Sequence, residues 1–356
     1  MPKRIPTRPL PALAATLLLA AGASQATAAD NDDRALLQQA QKLFKPLPKD
    51  MGTRENPVTP ARVALGRALF FDPRISVDGT VSCAKCHKPQ LYGTDGLAKA
   101  IGNHAKVNPR NSPTILNAAL QGVVSAHWRG DRKSVEDQAT KSLIGPPSFG
   151  LPNNEAAVAR LKAIPGYQPM FKAAFPNDAD PYSVDNWGTA IGAYERTLVT
   201  PGPFDAFLRG DTRALSPTAK AGLRDFISVG CASCHNGPGL GGTSYQKFGV
   251  HQNYWSATGS KEVDKGRFDV TKDEKDLYVF KVPILRNVAM TPPYFHDGSV
   301  ATLPAAVRIM AKVQLNKTLS DAQAHNIVAF LDSLTGPLPK NFATVPVLPS
   351  AAFRER

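Results

Sequence analysis

The sequence predicts a mainly α-helical protein with long loops, built as two domains related by duplication. Three observations predict it. Apolar residues recur at helical spacing in several separate stretches, while alternation of the kind a strand needs shows only in short pieces near 277–282. The five-residue pattern Cys-x-x-Cys-His occurs twice, 148 residues apart. The residues around each copy also resemble one another, which is the mark of an internal repeat.

In chain order, Lys3, Arg4 and Arg8 precede an Ala- and Leu-rich run and an Ala26-Thr27-Ala28 cleavage pattern. Residues 1–28 therefore read as a secretory signal peptide, too short in its apolar run for a membrane span, and the expected location is periplasmic. Removing Lys3, Arg4 and Arg8 with it takes the formal net charge from +13 to +10. A dispersed positive charge on an exported chain argues against nucleic acid and for an acidic partner face. Helices are expected over 30–50, ended by Pro46-Leu47-Pro48, and over 61–70, 155–163, 185–198, 216–228 (Ser216 capping, Pro217 first), 304–312 and 320–334. The breaker cluster Thr200-Pro201-Gly202-Pro203 divides an N-terminal domain, 29–200, from a C-terminal one, 201–336. The tail, 337–356, has no pattern and is expected to pack over the surface.

All four cysteines belong to the two motifs, Cys83-Ala84-Lys85-Cys86-His87 and Cys231-Ala232-Ser233-Cys234-His235. Zinc sites, redox pairs and disulfides also use paired cysteines, but none requires His next. Cys-x-x-Cys-His attaches c-type haem: two thioethers hold the porphyrin and the adjacent His reaches the iron. Two motifs mean two covalent haems in two domains. Around them, a Gly-x-x-x-Phe helix (Gly66 to Phe70, Gly222 to Phe226) leads into each motif. Arg110-Asn111 with His127-Trp128-Arg129-Gly130 echoes Arg286-Asn287 with Phe295-His296-Asp297-Gly298.

The second axial position of each iron separates catalysis from electron transfer, because peroxide needs an open or displaceable site. The candidates are His104, His127, His251, His296 and His325, and Met51, Met170, Met290 and Met310. Met310 lies among apolar neighbours on a helix, where Met also serves as core filler.

Several stretches together resemble the bacterial di-haem cytochrome c peroxidases, which include the MauG-like enzymes. They are residues 64–73 (ALGRALFFDP), 108–114 (NPRNSPT), 164–167 (IPGY), 197–201 (TLVTP), 285–289 (LRNVA), 293–296 (PYFH) and 327–331 (IVAFL). The resemblance spans nearly the whole chain after residue 28. It implies a periplasmic enzyme that reduces hydrogen peroxide with electrons from a small cytochrome c or copper protein, not membrane-spanning, with a homodimer as a state to test. It implies a C-terminal, high-potential haem on His235 with Met310 as second ligand, where MauG-type enzymes have Tyr. The N-terminal haem on His87 is then the peroxide site. Trp128 matches the Trp that relays electrons between haems, and Asn111, Thr291 and Pro293 match the positions that hold a calcium ion. His296 matches a family His near the high-potential haem.

Two departures stand out. The family's loop His, a displaceable ligand of the peroxide haem, falls here at His104, one place later in the sequence. Either His104 ligates by a loop shift, or the site is open at rest. Gln138 matches a Gln over the peroxide site, but the family's Glu ten residues on is Ser148. A carboxylate is the natural proton shuttle for cleaving the peroxide bond, and Glu136 and Glu155 are the candidates to substitute. Two other functions stay open: a MauG-like oxidase of a protein or other substrate, and a non-enzymatic electron carrier.

Overall fold

The computed structural model describes Met1, residues 30–121 and residues 126–351. Apart from Met1, the segment read as a signal peptide lies outside the described residues. The helices, in chain order, are α1 (30–43), α2 (Pro60–Phe71), α3 (Cys83–Cys86), α4 (Val135–Ser142), α5 (Asn154–Lys162), α6 (Gln168–Ala174) and α7 (Val184–Glu195). They continue with α8 (Pro203–Leu208), α9 (Pro217–Val229), α10 (Tyr254–Thr258), α11 (Phe268–Thr271), α12 (Leu303–Leu315), α13 (Asp321–Asp332) and α14 (Lys340–Ala343). A two-stranded antiparallel sheet pairs β1 (Tyr245–Lys247) with β2 (Val279–Lys281), Tyr245 opposite Lys281. Among the described residues no helix is long and apolar enough to cross a membrane.

Capping chemistry sets most helix starts. The side chains of Thr59, Asn153, Ser183, Ser216 and Ser320 each accept a backbone N–H from the first turn of α2, α5, α7, α9 and α13. α1 stops at 43, short of the expected 50, because Phe44 leaves the helix to bridge with Gly237. The breaker cluster at 200–203 opens directly into α8, with Pro203 in its first turn and the Asp205 carboxylate accepting the Gly202 N–H. α4 and α6 lie outside the expected helices; α4 is mostly polar, its buried face limited to Val135 and Ala139.

Two large apolar clusters, with a smaller third around Phe248, Tyr254, Phe280 and Val313, form the core. One packs α2 against α7 through Leu65, Leu69, Phe70, Trp187, Ile191 and Tyr194; the other packs α9 against α13 through Leu223, Phe226, Ile327, Phe330 and Leu331. The chain ends cross over. Leu36, Ala40 and Phe44 from the α1 region join the second cluster, while Phe342, Leu338 and Leu348 from the tail join the first. The tail is therefore more than a surface cover: Phe342 is fully buried, and Arg67 donates to the Asn341 and Thr344 carbonyls at 2.7 and 2.8 Å.

The two helix crossings share one geometry. Gly66 of α2 lies so close to Ala190 of α7 that a Cβ would collide with the Ala190 carbonyl, and Gly222 of α9 stands in the same relation to Asn326 of α13. One turn along, Phe70 meets Tyr194 and Phe226 meets Phe330 at ring distances of 5.4 and 5.2 Å. His127-Trp128 and Phe295-His296 also correspond: His127 and Phe295 have φ of 70° and 71°, and the bridges Ala126–Arg132 and Tyr294–Val300 close equivalent loops. The match of Arg110-Asn111 to Arg286-Asn287 is corrected. Asn117, not Asn111, is the counterpart of Asn287: both have left-handed backbone, and both amides donate to the Thr200 hydroxyl at 2.8 Å.

Candidate functional site

Each motif forms one tight turn that presents its cysteines and then its histidine. In the first, α3 ends as the His87 N–H bonds to the Cys83 carbonyl at 3.0 Å. In the second, Gly230 ends α9 in left-handed backbone, and the His235 N–H bonds to the Cys231 carbonyl at 3.0 Å. His87 Nδ1 lies 2.9 Å from the Gly93 carbonyl, and His235 Nδ1 lies 3.0 Å from the Leu240 carbonyl. A carbonyl only accepts, so Nδ1–H donates and Nε2 keeps the lone pair that an iron takes. Burial lowers both imidazole pKa values, which keeps the rings neutral.

Zinc is a poor fit to the same residues. Burial raises the Cys83 thiol pKa strongly and those of Cys86 and Cys231 to about 11. Among the described residues no three His, Cys, Asp or Glu side chains converge as a metal site, and the four cysteines form no disulfide. Haem fits better: paired thiols on one turn, an adjacent neutral imidazole with its second nitrogen pinned and, at the second motif, an apolar cavity beside it.

That cavity is bounded by Cys231, Cys234 and His235 on one side and by Val307, Met310 and Ala311 of α12 on another. Val307 and Met310 share a face because they are three residues apart on the helix. Met290 is 43% exposed, outside the cavity lining. Trp128 lines the cavity from the N-terminal half, donating its indole N–H to the Asn111 carbonyl at 2.9 Å and packing edge-on to His296 at 6.4 Å. Asn111, Thr291 and Pro293 line it too. Asn111 donates Nδ2 to the Leu97 carbonyl at 2.8 Å, which turns its amide oxygen the other way. Neutral oxygens from both halves suit a hard cation such as calcium.

The residues expected near His87 are less gathered. Gln138 on α4 keeps its Oε1 buried with no hydrogen-bond partner. His104 lies at the surface with its side chain 60% exposed, 3.9 Å from Asp78. Ser148 follows a turn in which its N–H bonds to the Gly145 carbonyl at 2.8 Å. The two candidate substitute carboxylates are engaged elsewhere or exposed. Glu136 is held by Arg196 at 2.7 Å against α7, and Glu155 is exposed at the start of α5.

Glu195 and Lys281 are among the buried ionisable groups that the sequence reading did not single out. Glu195 is 7% exposed, and burial together with the Glu136 carboxylate raises its pKa to about 8. Its signal was its place on the buried stripe of α7 with Trp187 and Ile191, four residues apart each time. Lys281 is 6% exposed on the cavity wall, where burial lowers its pKa to about 7; a lone Lys in a short strand gave no warning.

Comparison with known proteins gives the family. A family model described as di-haem cytochrome c peroxidase matches residues 60–213. The chain is 42% identical to the cytochrome c551 peroxidase of Pseudomonas aeruginosa over 320 residues, covering 89% of this chain and 90% of that one. It is 42% identical to the cytochrome c551 peroxidase of Nitrosomonas europaea, covering 80% and 82%. A solved MauG-like protein associated with microbial copper homeostasis superposes with a TM-score of 0.72 at 28% identity, covering 84% of this chain and 97% of that one. The chain belongs to the bacterial di-haem cytochrome c peroxidase family.

Proposed function

We propose that this protein reduces hydrogen peroxide to water, taking two electrons and two protons per peroxide, with electrons from a small periplasmic cytochrome c or copper protein. The observation that carries the reading is the pair of Cys-x-x-Cys-His turns, each with its imidazole Nδ1 tied to a carbonyl, with Trp128 set between the halves. The two haems, when bound, supply the redox chemistry. Cys83 and Cys86 would hold one with His87 as ligand; Cys231 and Cys234 would hold the other between His235 and Met310.

The chain's own groups divide the remaining work. Met310 closes the far side of the C-terminal site, which suits electron entry over ligand binding. Trp128, fixed by Asn111 and beside His296, is the aromatic relay between halves. Gln138 offers a buried acceptor to orient a peroxide O–H at the His87 site. His104 faces Asp78 in this conformation, so we read the His87 site as open. We place a calcium ion at Asn111, Thr291 and Pro293, where it would fasten the halves beside Trp128.

The matched glycine crossings, the shared Thr200 cap and the paired loops support two cytochrome c-like domains related by duplication. Their division falls near residue 200, with α1 and the tail exchanged between them. The leader-like residues 1–28 support export to the periplasm. A MauG-like oxidation of another substrate is the second reading. It is favoured by Ser148 in place of a carboxylate and by the similarity to the MauG-like structure; Met310 in place of Tyr speaks against it.

Half-reduction tests the assignment of roles. One electron should enter the Met310-ligated haem, and peroxide or cyanide should then perturb only the spectrum of the other. Ligand binding at the haem that accepts the first electron would overturn the roles.

A further inference from the structure

The two departures from the family pattern touch each other. Asn103, the residue before His104, is fully buried, and its Nδ2 donates to the Pro146 carbonyl at 2.6 Å and the Ser148 carbonyl at 2.8 Å. Asn108, from the same loop, donates to the carbonyl between them, Pro147, at 3.1 Å. Three successive carbonyls of the Ser148 loop are thus taken by donors from the His104 loop. The loops also meet without room for a side chain: a Cβ on Gly102 would collide with the Pro147 carbonyl, and one on Gly150 with Asn103.

The His104 loop is closed on itself as well. Gly102 N–H bonds to the Lys106 carbonyl, Lys106 N–H to the Asn103 carbonyl, and Asn108 N–H to the Ala100 carbonyl, at 2.9, 2.9 and 2.7 Å. With Asn103 turned inward, His104 is turned outward, and its N–H bonds to Asp78 Oδ2 at 2.8 Å. His104 and Ala105 both adopt left-handed backbone, φ 48° and 58°. Two such non-glycine residues in succession are costly and persist only where the surroundings fix them. Turning His104 inward requires Asn103 to release both carbonyls.

We propose that Asn103 is a positioning residue, a latch that ties the His104 loop to the Ser148 loop. It keeps His104 away from the His87 haem in the fully oxidised enzyme, so that peroxide enters without prior reduction. This rests on the reading of His87 as the peroxide-site haem ligand.

The test is the spin state of the diferric holoenzyme by electron paramagnetic resonance and optical spectra, after the mass of the denatured chain confirms two haems. Loss of either haem would count against the haem assignment and not the latch. In the two-haem protein, one haem should be high-spin, His104→Ala should leave that signal unchanged, and turnover should start without a lag. Asn103→Ala should convert part of the high-spin signal to low-spin, and adding His104→Ala should restore it. Asn103→Asp keeps the size but cannot donate to the carbonyls, and carries the same comparison if the Ala variant does not fold. Two low-spin haems in the wild type, whether or not His104→Ala frees one, would overturn the latch. So would Asn103 variants with wild-type spectra.

Discussion

Gly66 of α2 rests against the backbone carbonyl of Ala190 in α7, closer than any side chain would permit. Gly222 and Asn326 repeat the relation in α9 and α13. Each crossing sits beside the helix that feeds or backs a haem turn, so it fixes where the turn is presented. Gly66→Ala and Gly222→Ala should each destabilise the protein by about 1–3 kcal/mol or more, since overpacking must shift backbone and not a flexible side chain. Chemical denaturation of the holoprotein measures this. Gly210→Ala is a weaker comparison: its added Cβ meets no atom within 4 Å, leaving only the strain of its left-handed φ.

Met310 shares a cavity with His235, and Met290 is exposed. Met310→His should lower the potential of the C-terminal haem and remove the sulfur-to-iron absorption feature, because thioether ligation raises the potential. Met290→His should change neither. A spectroelectrochemical titration of both variants checks it.

On the proposed reading Ser148 stands where the family has a carboxylate, and Glu136 is occupied by Arg196. Ser148→Glu should accelerate peroxide turnover by about 10²–10⁴-fold, equivalent to about 3–5 kcal/mol of barrier. The substitution leaves the Ser148 backbone carbonyl, and so the Asn103 contact, in place. The pH profile of the variant should report the new carboxylate. Unchanged turnover would mean that another acid already serves.

Glu195 has a pKa raised to about 8 by burial and by Glu136. An unfolded Glu ionises near pH 4.3, so the unfolded chain releases this proton first as pH rises. The contribution to stability is therefore full below about pH 4 and is lost progressively as pH rises through about 8. Glu195→Gln, neutral at every pH, should flatten the fall in stability across that window. Denaturant midpoints measured from acid to mildly alkaline pH, wild type against variant, show whether it does.

Much of this was legible in the residues. Capping residues and apolar spacing located α2, α5, α7, α9, α12 and α13, because each buries a stripe against a partner. The mostly polar α4 was harder to read: its short buried face, Val135 and Ala139, shows only once the fold brings it to the core, where Glu136 also pairs with Arg196 across 60 positions of sequence. The haem turns were fully legible, since attachment demands a contiguous motif. The roles proposed for Asn111, Thr291 and Pro293, for Trp128 and for Met310 came from resemblance, because residues gathered from distant parts of the chain leave no local pattern. Asn103 was hidden by the His beside it, and only the fold reveals which of the two faces inward.

The central claim is most directly tested by steady-state oxidation of a reduced small cytochrome c by hydrogen peroxide, with protein carrying both haems. The account predicts enzyme-dependent oxidation with two donor electrons consumed per peroxide, slow in the wild type and faster in Ser148→Glu. No enzyme-dependent oxidation in either form, with both haems present and reducible by the donor, would contradict it and leave an electron carrier.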